Sequence, residues 1–464
     1  MTQGRGSTKT PRSGTKERII EAAFSFYSDF VFGDVSLSKI AAPVGISKPA
    51  IFKHFKTKDS LVAAMDNRVF SHLTGVLQEM ELLFRAGKRG DALAHIIGYL
   101  AKNREETYYL VSTVPRITAD AVFQQLRKRG VNLFDGIFNA DGSVKDLGLY
   151  YLTVYASSTF LCFLMFWFST ADSREPEAGA ISCFTAKFNI LFQDGLDGLA
   201  EIAAPAVIEE RCLAGLSSAK AMNRAFAALA AVVEEKGLGG VTVEAIAGRL
   251  GLAKSSLYSS FRSKEEMLVV LIDEELANLY SAVLSCMEGL SCYGERIYAL
   301  MRTSMHYFLI RPEIITIFQS IVLSGRNPDG GLEAERECGC DTASGRLQEA
   351  ILERLSFPSL PDVGIGGFCG QMLLSWFFAV PAMLYLHCRV HGCSDEEMLQ
   401  AVGMMYRFME GGLSGFSSSG AESRVSASSA QITEKDDGRP AIMGQDGMEQ
   451  DWELCHGDET HERK

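Results

Sequence analysis

The sequence contains few stretches in which apolar and polar residues alternate, and it lacks the closely spaced cysteines of a secreted disulfide framework. The missing alternation argues against a fold built mainly from half-buried β-strands, because such strands need one apolar and one polar face. The eleven cysteines are scattered over 464 residues, which favours a reduced, cytoplasmic compartment. Residues 1–15 are polar and have no apolar core, so we expect no secretory signal.

Motifs that identify enzymes are also missing. The sequence has no nucleophile elbow, phosphate-binding loop, dinucleotide fingerprint or HExxH motif, so we expect a protein that is not an enzyme and has no cofactor. Apolar residues, in contrast, are abundant at 47% of the chain and recur at helical spacing. This pattern predicts an all-α fold.

The net charge of −12 is unevenly distributed along the chain. In residues 1–70 the basic residues exceed the acidic ones by roughly five, and in residues 421–464 the acidic residues exceed the basic ones by roughly six. A basic segment suits contact with nucleic acid. The Ser-, Gly- and acid-rich composition of the last segment is typical of disorder.

A stretch near the start of the chain recurs 206 positions later without a gap. Gly45 falls on Gly251 and Phe55 falls on Phe261. An uncharged stretch follows in each copy, at residues 147–171 and 363–388, and a Gly- and charge-rich insertion at 325–346 explains the changed spacing. The chain is therefore predicted to be a duplication of one unit, a small head followed by a helical body.

The repeat divides the chain into seven segments. We expect a disordered basic arm at 1–14, a first DNA-binding head at 15–75, a first helical body at 76–200, a linker at 201–217, a second head at 218–278, a second body at 279–414 and a disordered acidic tail at 415–464.

The first copy has the residues of a helix-turn-helix unit. Ser36 and Ser47 stand where N-caps belong, and Pro49 is tolerated in the first turn of the second helix. Gly45 supplies the tight turn, because glycine adopts a positive φ most easily. Thr57 is expected to cap the longer helix that follows. In the second copy, Thr242 corresponds to Ser36, Gly251 to Gly45 and Ser263 to Thr57.

The second helix of such a unit enters the major groove, and its exposed face should carry small polar and basic side chains. A lysine at the start of the next helix suits phosphate contact. The residues expected to contact DNA are Ser36, Ser47, Lys48, Pro49, Phe52, Lys53, His54 and Lys58 in the first head, and Thr242, Lys254, Ser255, Ser256, Tyr258, Ser259 and Lys264 in the second.

These two segments resemble the TetR (tetracycline-repressor-like) family of transcriptional regulators. The matching strings are IAAPVGISKPAIFKHFKTK at residues 40–58 and IAGRLGLAKSSLYSSFRSK at residues 246–264. The most specific part of the motif is an aromatic residue followed, three positions later, by Phe. After one further residue come Ser or Thr and then Lys. The motif covers some fifty residues per copy, and the bodies fit the family by length and character alone.

The resemblance implies an all-helical protein with a three-helix DNA-binding head and a ligand-sensing body in each unit. Such regulators usually pair through the last two body helices, and a small-molecule inducer releases the DNA. Two departures point to unequal heads. The family glycine before the second helix is Gly237 in one copy but Val31 in the other, and the usual recognition-helix tyrosine, Tyr258, is replaced by Phe52. Phe52 has no hydroxyl to donate to a phosphate.

Two arrangements follow from a chain with two heads. In an intramolecular pseudo-dimer, the heads of one chain bind adjacent major grooves about 34 Å apart. In a homodimer of the whole chain, four heads are present. We expect double-stranded DNA as the partner in both arrangements, with a repressor that responds to an unidentified inducer.

The uncharged stretches are long enough to span a bilayer. A single span between the heads would place them on opposite sides of a membrane, so paired interface helices explain the two stretches better, and no membrane contact is expected. Trp167 and Trp376 lie in these stretches and are expected to pack. Body aromatics that could either line an effector pocket or pack are Tyr99, Tyr108, Tyr109, Phe160, Phe163, Phe166, Tyr307, Phe308 and Phe318.

Two alternatives to a ligand-responsive regulator remain open. A regulator that senses a metal or a redox change would use thiol and imidazole ligands, and the candidates are Cys338, Cys340, His387, Cys388, His391 and Cys393. No CxxC pair is present among them. The other alternative is a helical interaction protein that kept its heads but lost DNA binding.

Overall fold

The computed structural model describes residues 14–29, 37–113, 119–133, 135–139, 143–170, 178–196, 199–217, 220–236, 240–317, 342–355 and 370–418. Within these ranges the regular elements are helices, and β pairing is limited to one isolated bridge between Phe138 and Val144. The predicted all-α fold is confirmed. The N-terminal arm before Gly14, the tail beyond Ser418 and most of the predicted insertion lie outside the described residues.

The described residues of the first unit form nine helices. They are α1 (Thr15–Asp29), α2 (Leu37–Val44), α3 (Lys48–Ile51), α4 (Lys58–Arg85), α5 (Arg89–Lys102), α6 (Arg104–Thr113), α7 (Ala119–Lys128), α8 (Leu147–Thr170) and α9 (Ala178–Asp194). The first three helices and the start of α4 form a head with a separate apolar core, built around fully buried residues such as Ile19, Ile40 and Ile51.

The described helices of the second unit follow the same plan after one additional helix. They are α10 (Pro205–Ser217), α11 (Arg224–Lys236), α12 (Val243–Leu250), α13 (Lys254–Tyr258), α14 (Lys264–Met287), α15 (Tyr293–Ile310), α16 (Ala343–Leu355), α17 (Gly370–Val390) and α18 (Asp395–Ser418). Helices α11 to α13 form the second head, and α14 runs from this head into the second body.

The segment expected to be a linker, residues 201–217, is largely the helix α10. It packs against α14 and α15, and Gly215 lies so close to α14 that an added Cβ would come within 2.9 Å of the Ala282 carbonyl oxygen. The buried residues Ile208 and Cys212 face the second body. The segment expected to be a linker therefore contains a packed helix, because its apolar residues cover a surface of the second body.

Helix α6 joins the first head to the first body. It packs against α1, where the rings of Tyr109 and Phe24 meet edge to face with their centroids 5.3 Å apart. The Tyr109 hydroxyl donates a hydrogen bond to Asp66 of α4, and both side chains are buried. Helix α6 is therefore held against the head by a packed aromatic contact and a buried hydrogen bond.

The two units meet in a bundle formed by the last two described helices of each. Helix α8 packs against α17, α9 packs against α18, and α18 also packs against α8. We call these four helices the inter-unit bundle. Trp376 of α17 is fully buried there, and its indole N–H donates to the Thr159 hydroxyl of α8 at 2.9 Å. Each uncharged stretch of the sequence thus contributes a helix that packs against the helix from the other stretch.

The helices α8 and α17 also contain windows, Leu147–Leu164 and Gly370–Val390, that are long and apolar enough to cross a membrane. Half of the residues in the first window and 61% of those in the second are buried inside the protein. Their apolar character is thus explained in large part by contact with other helices of the same chain.

A close backbone approach closes one end of the inter-unit bundle. Gly195, which follows α9 with a φ of 81°, lies against the backbone of α18, where an added Cβ would be 2.5 Å from the Glu410 carbonyl oxygen. The next residue, Leu196, donates its backbone N–H to the Met409 carbonyl oxygen at 2.7 Å. Gly412 interrupts α18 at the same place with a φ of 53°. These glycines allow the two chain segments to approach so closely, because no side chain stands between them.

Candidate nucleic-acid interface

The first head has the geometry of a helix-turn-helix. Gly45 follows α2 with a φ of 73°, as predicted for the tight turn. Ile51 and Phe55 are buried, so the opposite face of α3 is exposed. The Arg18 guanidinium of α1 donates to the Val44 carbonyl oxygen at 2.6 Å, which satisfies a carbonyl at the end of α2 that has no partner within the helix.

The second head repeats this geometry. The Thr242 hydroxyl accepts a hydrogen bond from the Ala245 N–H at the start of α12. Gly251 ends α12 in the left-handed conformation, with a φ of 68°. Leu257 is buried on the inner side of α13, and Tyr258 is 45% exposed. The turn glycines of both heads are therefore as predicted.

The caps of the long helices are confirmed, but one predicted cap is not. Thr57 forms a reciprocal capping box with Ser60 at the start of α4, and the Ser263 hydroxyl accepts from the Glu266 N–H at the start of α14. Ser47 occupies the N-cap position of α3, yet its side chain makes no capping hydrogen bond. The prediction for Ser47 was wrong in this respect, and its hydroxyl lies on the exposed face instead. Ser36 lies outside the described residues.

Most of the described residues that are predicted to contact DNA are exposed. Those that are exposed in the first head are Ser47, Lys48, Pro49, Phe52, Lys53 and His54, and those in the second are Thr242, Lys254, Ser255, Ser256, Tyr258 and Ser259. Lys58 and Lys264 are half-buried at the N-termini of α4 and α14. Phe52 and Tyr258 are similarly exposed, at 42% and 45%, so the two heads differ here by a hydroxyl group rather than by burial. Val31 and Gly237 lie outside the described residues.

The two heads differ more clearly in electrostatics. Lys254, the first residue of α13, forms an ion pair with Glu244 of α12. The mutual hydrogen bond lowers the pKa of Glu244 and raises that of Lys254, so both side chains stay charged near neutral pH. The position equivalent to Glu244 in the first head is Ser38. The lysine of the second head is thus paired with a carboxylate that the first head does not have at that position.

Glu244 is not among the residues predicted from the sequence, because its ion pair with Lys254 joins the recognition helix to the helix before it. The relevant signal was available, since an acidic residue in the first turn of a helix is favoured by the helix dipole. A short turn then brings that residue close to the first residue of the following helix. The aligned repeats show this difference between the heads, since Glu244 of the second copy falls on Ser38 of the first.

The proposed metal ligands do not gather into a site among the residues that the structure describes, where no group of three potential ligands is close enough to hold an ion. His387 and His391 lie against the ring of Tyr150, and the Tyr150 hydroxyl is 3.2 Å from His387 Nδ1. Cys338 and Cys340 lie outside the described residues.

Most of the body aromatics are buried. Those that are buried are Tyr108, Tyr109, Phe163, Tyr307 and Phe308, while Tyr99 and Phe160 are half-buried. The Phe166 side chain and Phe318 lie outside the described residues. A cleft of about 570 Å³ lies beside the second head, and its polar lining includes Lys220, Asn223, Glu274 and Glu275.

The heads coincide with the segments that match known proteins. Residues 19–65 and 226–271 each match the family model for bacterial regulatory proteins of the tetR family, which is consistent with a tandem duplication. Uncharacterized HTH-type transcriptional regulators of Mycobacterium bovis and Mycobacterium tuberculosis are 33% identical over 76 residues. That similarity covers 16% of this chain and 39% of each relative, so the chain spans about two fifths of the length of the curated relatives that it matches.

Proposed function

We propose that this chain, which carries two helix-turn-helix domains of the tetR type, is a DNA-binding transcriptional regulator that works as an intramolecular pseudo-dimer. The observation that carries the proposal is the repeated head, with α3 and α13 each exposing a polar face beyond a left-handed glycine turn. A second helix presented in this way is the element that enters the major groove in helix-turn-helix proteins.

The inter-unit bundle supports the pseudo-dimer. In a two-fold interface, equivalent surfaces meet each other. Here α8 meets its counterpart α17, and α9 meets its counterpart α18, so one chain makes the contact that two identical subunits make in a homodimer. The bundle core contains aromatic rings from both units, including Tyr155 against Trp376 and Tyr155 against Phe408. A surface that is already covered in this way is not available for pairing with a second chain.

The mass of the protein in solution tests this arrangement. We expect light scattering after size-exclusion chromatography to give a value near 50.7 kDa, the mass of one chain, across a wide range of protein concentrations. A concentration-independent mass twice as large would contradict the pseudo-dimer and favour a homodimer with four heads.

DNA binding is tested by its salt dependence. Lys48→Ala and Lys254→Ala should each weaken binding to random-sequence duplex. Lys48→Ala should reduce the salt slope by about one, because that lysine neutralises one phosphate, whereas Lys254→Ala should change the slope less, because Lys254 is paired with Glu244. Lys102→Ala, which changes an exposed lysine of the first body, is the matched control and should change neither quantity. The absence of salt-dependent binding to the duplex would favour a helical interaction protein that has lost its DNA partner.

We further infer that the regulator is a cytoplasmic, non-enzymatic repressor and that an effector acts through the junctions between head and body. At the first junction, Arg68 and His72 of α4 both contact the buried Glu106 carboxylate of α6, each at 3.0 Å. The second junction has a buried ion pair in which the acid lies on the long helix and the base on the later segment, the reverse of the first junction. Glu275 Oε1 of α14 is 2.8 Å from Arg311 Nη1, just after α15. Breaking either pair would leave an unpaired buried charge, so each junction favours discrete arrangements over continuous deformation.

A further inference from the structure

Two cysteines of the second unit are brought together by the way α17 ends. Gly392 closes the last turn with a φ of 67°, and the Cys393 N–H donates to the Cys388 carbonyl oxygen at 3.0 Å. This hydrogen bond after a left-handed glycine defines a Schellman motif, in which the side chains of these two positions frequently contact each other. The contact is usually apolar, but here both side chains are thiols.

The two thiols have different environments. Cys388 is fully buried, and its hydrogen bond to Cys393 together with burial raises its pKa. Cys393 is only partly buried. The same hydrogen bond lowers the pKa of Cys393, while burial and the nearby Glu397 carboxylate raise it. Because Cys393 is the more exposed of the two, it is the accessible sulfur, and Cys388 is the neighbour that can resolve an oxidised form.

The thiol pair lies at the inter-unit bundle. The Tyr151 hydroxyl of α8, in the first unit, is hydrogen-bonded to Cys388, and Tyr151 is itself buried. On the other side, Ser394 and Glu397 form the cap of α18, with the Ser394 N–H donating to the Glu397 carboxylate at 2.7 Å. A change in the bonding of Cys388 therefore occurs where both units and the start of α18 meet.

We propose that Cys388 and Cys393 form a reversible disulfide when the protein meets a hydroperoxide. The Cys393 thiolate attacks the hydroxyl oxygen of the peroxide and becomes a sulfenic acid. The O–O bond breaks, and the other oxygen takes up a proton from solvent and leaves as an alcohol or, from hydrogen peroxide, as water. The Cys388 sulfur then attacks Cys393, its proton leaves with the displaced hydroxide as water, and the S–S bond forms. Two thiols are oxidised and one peroxide is reduced. A dithiol reductant reduces the disulfide back to the two thiols. This proposal does not depend on the proposed DNA binding.

The test is thiol mapping of the full chain after treatment with an equimolar amount of hydrogen peroxide, followed by alkylation and peptide mass spectrometry. We expect an intramolecular Cys388–Cys393 link in most molecules and the loss of two alkylatable thiols, both restored by dithiothreitol. Cys388→Ser should block the disulfide and leave a sulfenic acid on Cys393 that dimedone traps. Cys393→Ser should leave Cys388 reduced.

A second thiol pair is the internal control. The sulfurs of Cys212 and Cys286 are 3.1 Å apart, but both residues are fully buried, so proximity without access should leave them reduced. The double variant Cys212→Ser and Cys286→Ser should oxidise like the natural protein. The proposal is overturned if Cys388 and Cys393 stay reduced while Cys212–Cys286 or Cys338–Cys340 becomes linked, or if all thiols stay reduced at a tenfold excess of peroxide.

Discussion

Replacing Trp376 with alanine is expected to lower the free energy of unfolding by about 3–5 kcal/mol, the usual cost of truncating a large buried aromatic residue. The indole fills the centre of the inter-unit bundle, where it meets Phe163 of the first unit at 5.4 Å between ring centroids. Its removal leaves a cavity between the units and takes the donor away from Thr159. Urea denaturation followed by circular dichroism measures the change.

The matched comparison is Trp167→Ala, which removes an equally large residue within the first unit. Trp167 stacks on Phe184 of α9 at 4.8 Å. Both variants should lose stability, but only Trp376→Ala weakens the contact between the units, so only this variant is expected to unfold in two separate transitions. If both variants unfold in a single transition with equal losses, the bundle is not what makes the two units cooperate.

The hydrogen bond can be separated from the packing. Thr159→Val keeps the shape of the side chain and leaves the indole N–H without its acceptor, which should cost about 1–3 kcal/mol. Combining it with Trp376→Phe in a double-mutant cycle isolates the interaction energy of the pair. A coupling close to zero would show that the contribution of Trp376 comes from packing alone.

The helical elements and the turns could be predicted because their causes are local. A positive φ at Gly45 and Gly251 follows from the residue type at a tight turn, and the caps at Thr57, Thr242 and Ser263 follow from side chains that can reach a free N–H. The two uncharged stretches were also expected to form paired helices, and α8 and α17 do pack against each other, since an apolar helix surface favours contact with other helices.

What the sequence did not predict depends on contacts between distant segments. The residues of α10 have mixed apolar and polar character, and their helix is stabilised by a surface of α14 and α15 that the linear pattern does not reveal. The failure of Ser47 as a cap has the same origin, because an N-cap position permits a hydrogen bond but does not require one. The thiol pair at Cys388 and Cys393 could have been anticipated from the Gly392 turn between them.

Duplication within one chain removes a constraint that a homodimer must obey. In a homodimer, a substitution in the head appears twice, so both recognition helices change together. In this chain the copies have diverged separately, to Ser38 and Phe52 in one head and Glu244 and Tyr258 in the other. The consequence is that affinity for phosphate and contacts with the bases can be divided unequally between the heads.

The exchange of Ser38 and Glu244 tests this division directly. Glu244→Ser releases Lys254 from its ion pair, so the second head should bind random-sequence duplex roughly three- to tenfold more tightly at low salt, with a salt slope steeper by about one. Ser38→Glu places a carboxylate at the equivalent position of the first head and should weaken binding by a similar factor. Fluorescence anisotropy at several salt concentrations measures both effects.

The control for net charge is Glu210→Gln, which removes a carboxylate from the exposed side of α10. If it tightens binding as much as Glu244→Ser does, the effect reports the overall charge of the protein and not the ion pair at the recognition helix. If Ser38→Glu weakens binding while Glu244→Ser changes nothing, Lys254 does not face a phosphate and the second head contacts DNA through other groups. The expected opposite and nearly equal changes would instead show that one carboxylate sets the difference in affinity between two otherwise similar heads, a difference that is possible because both are encoded in the same chain.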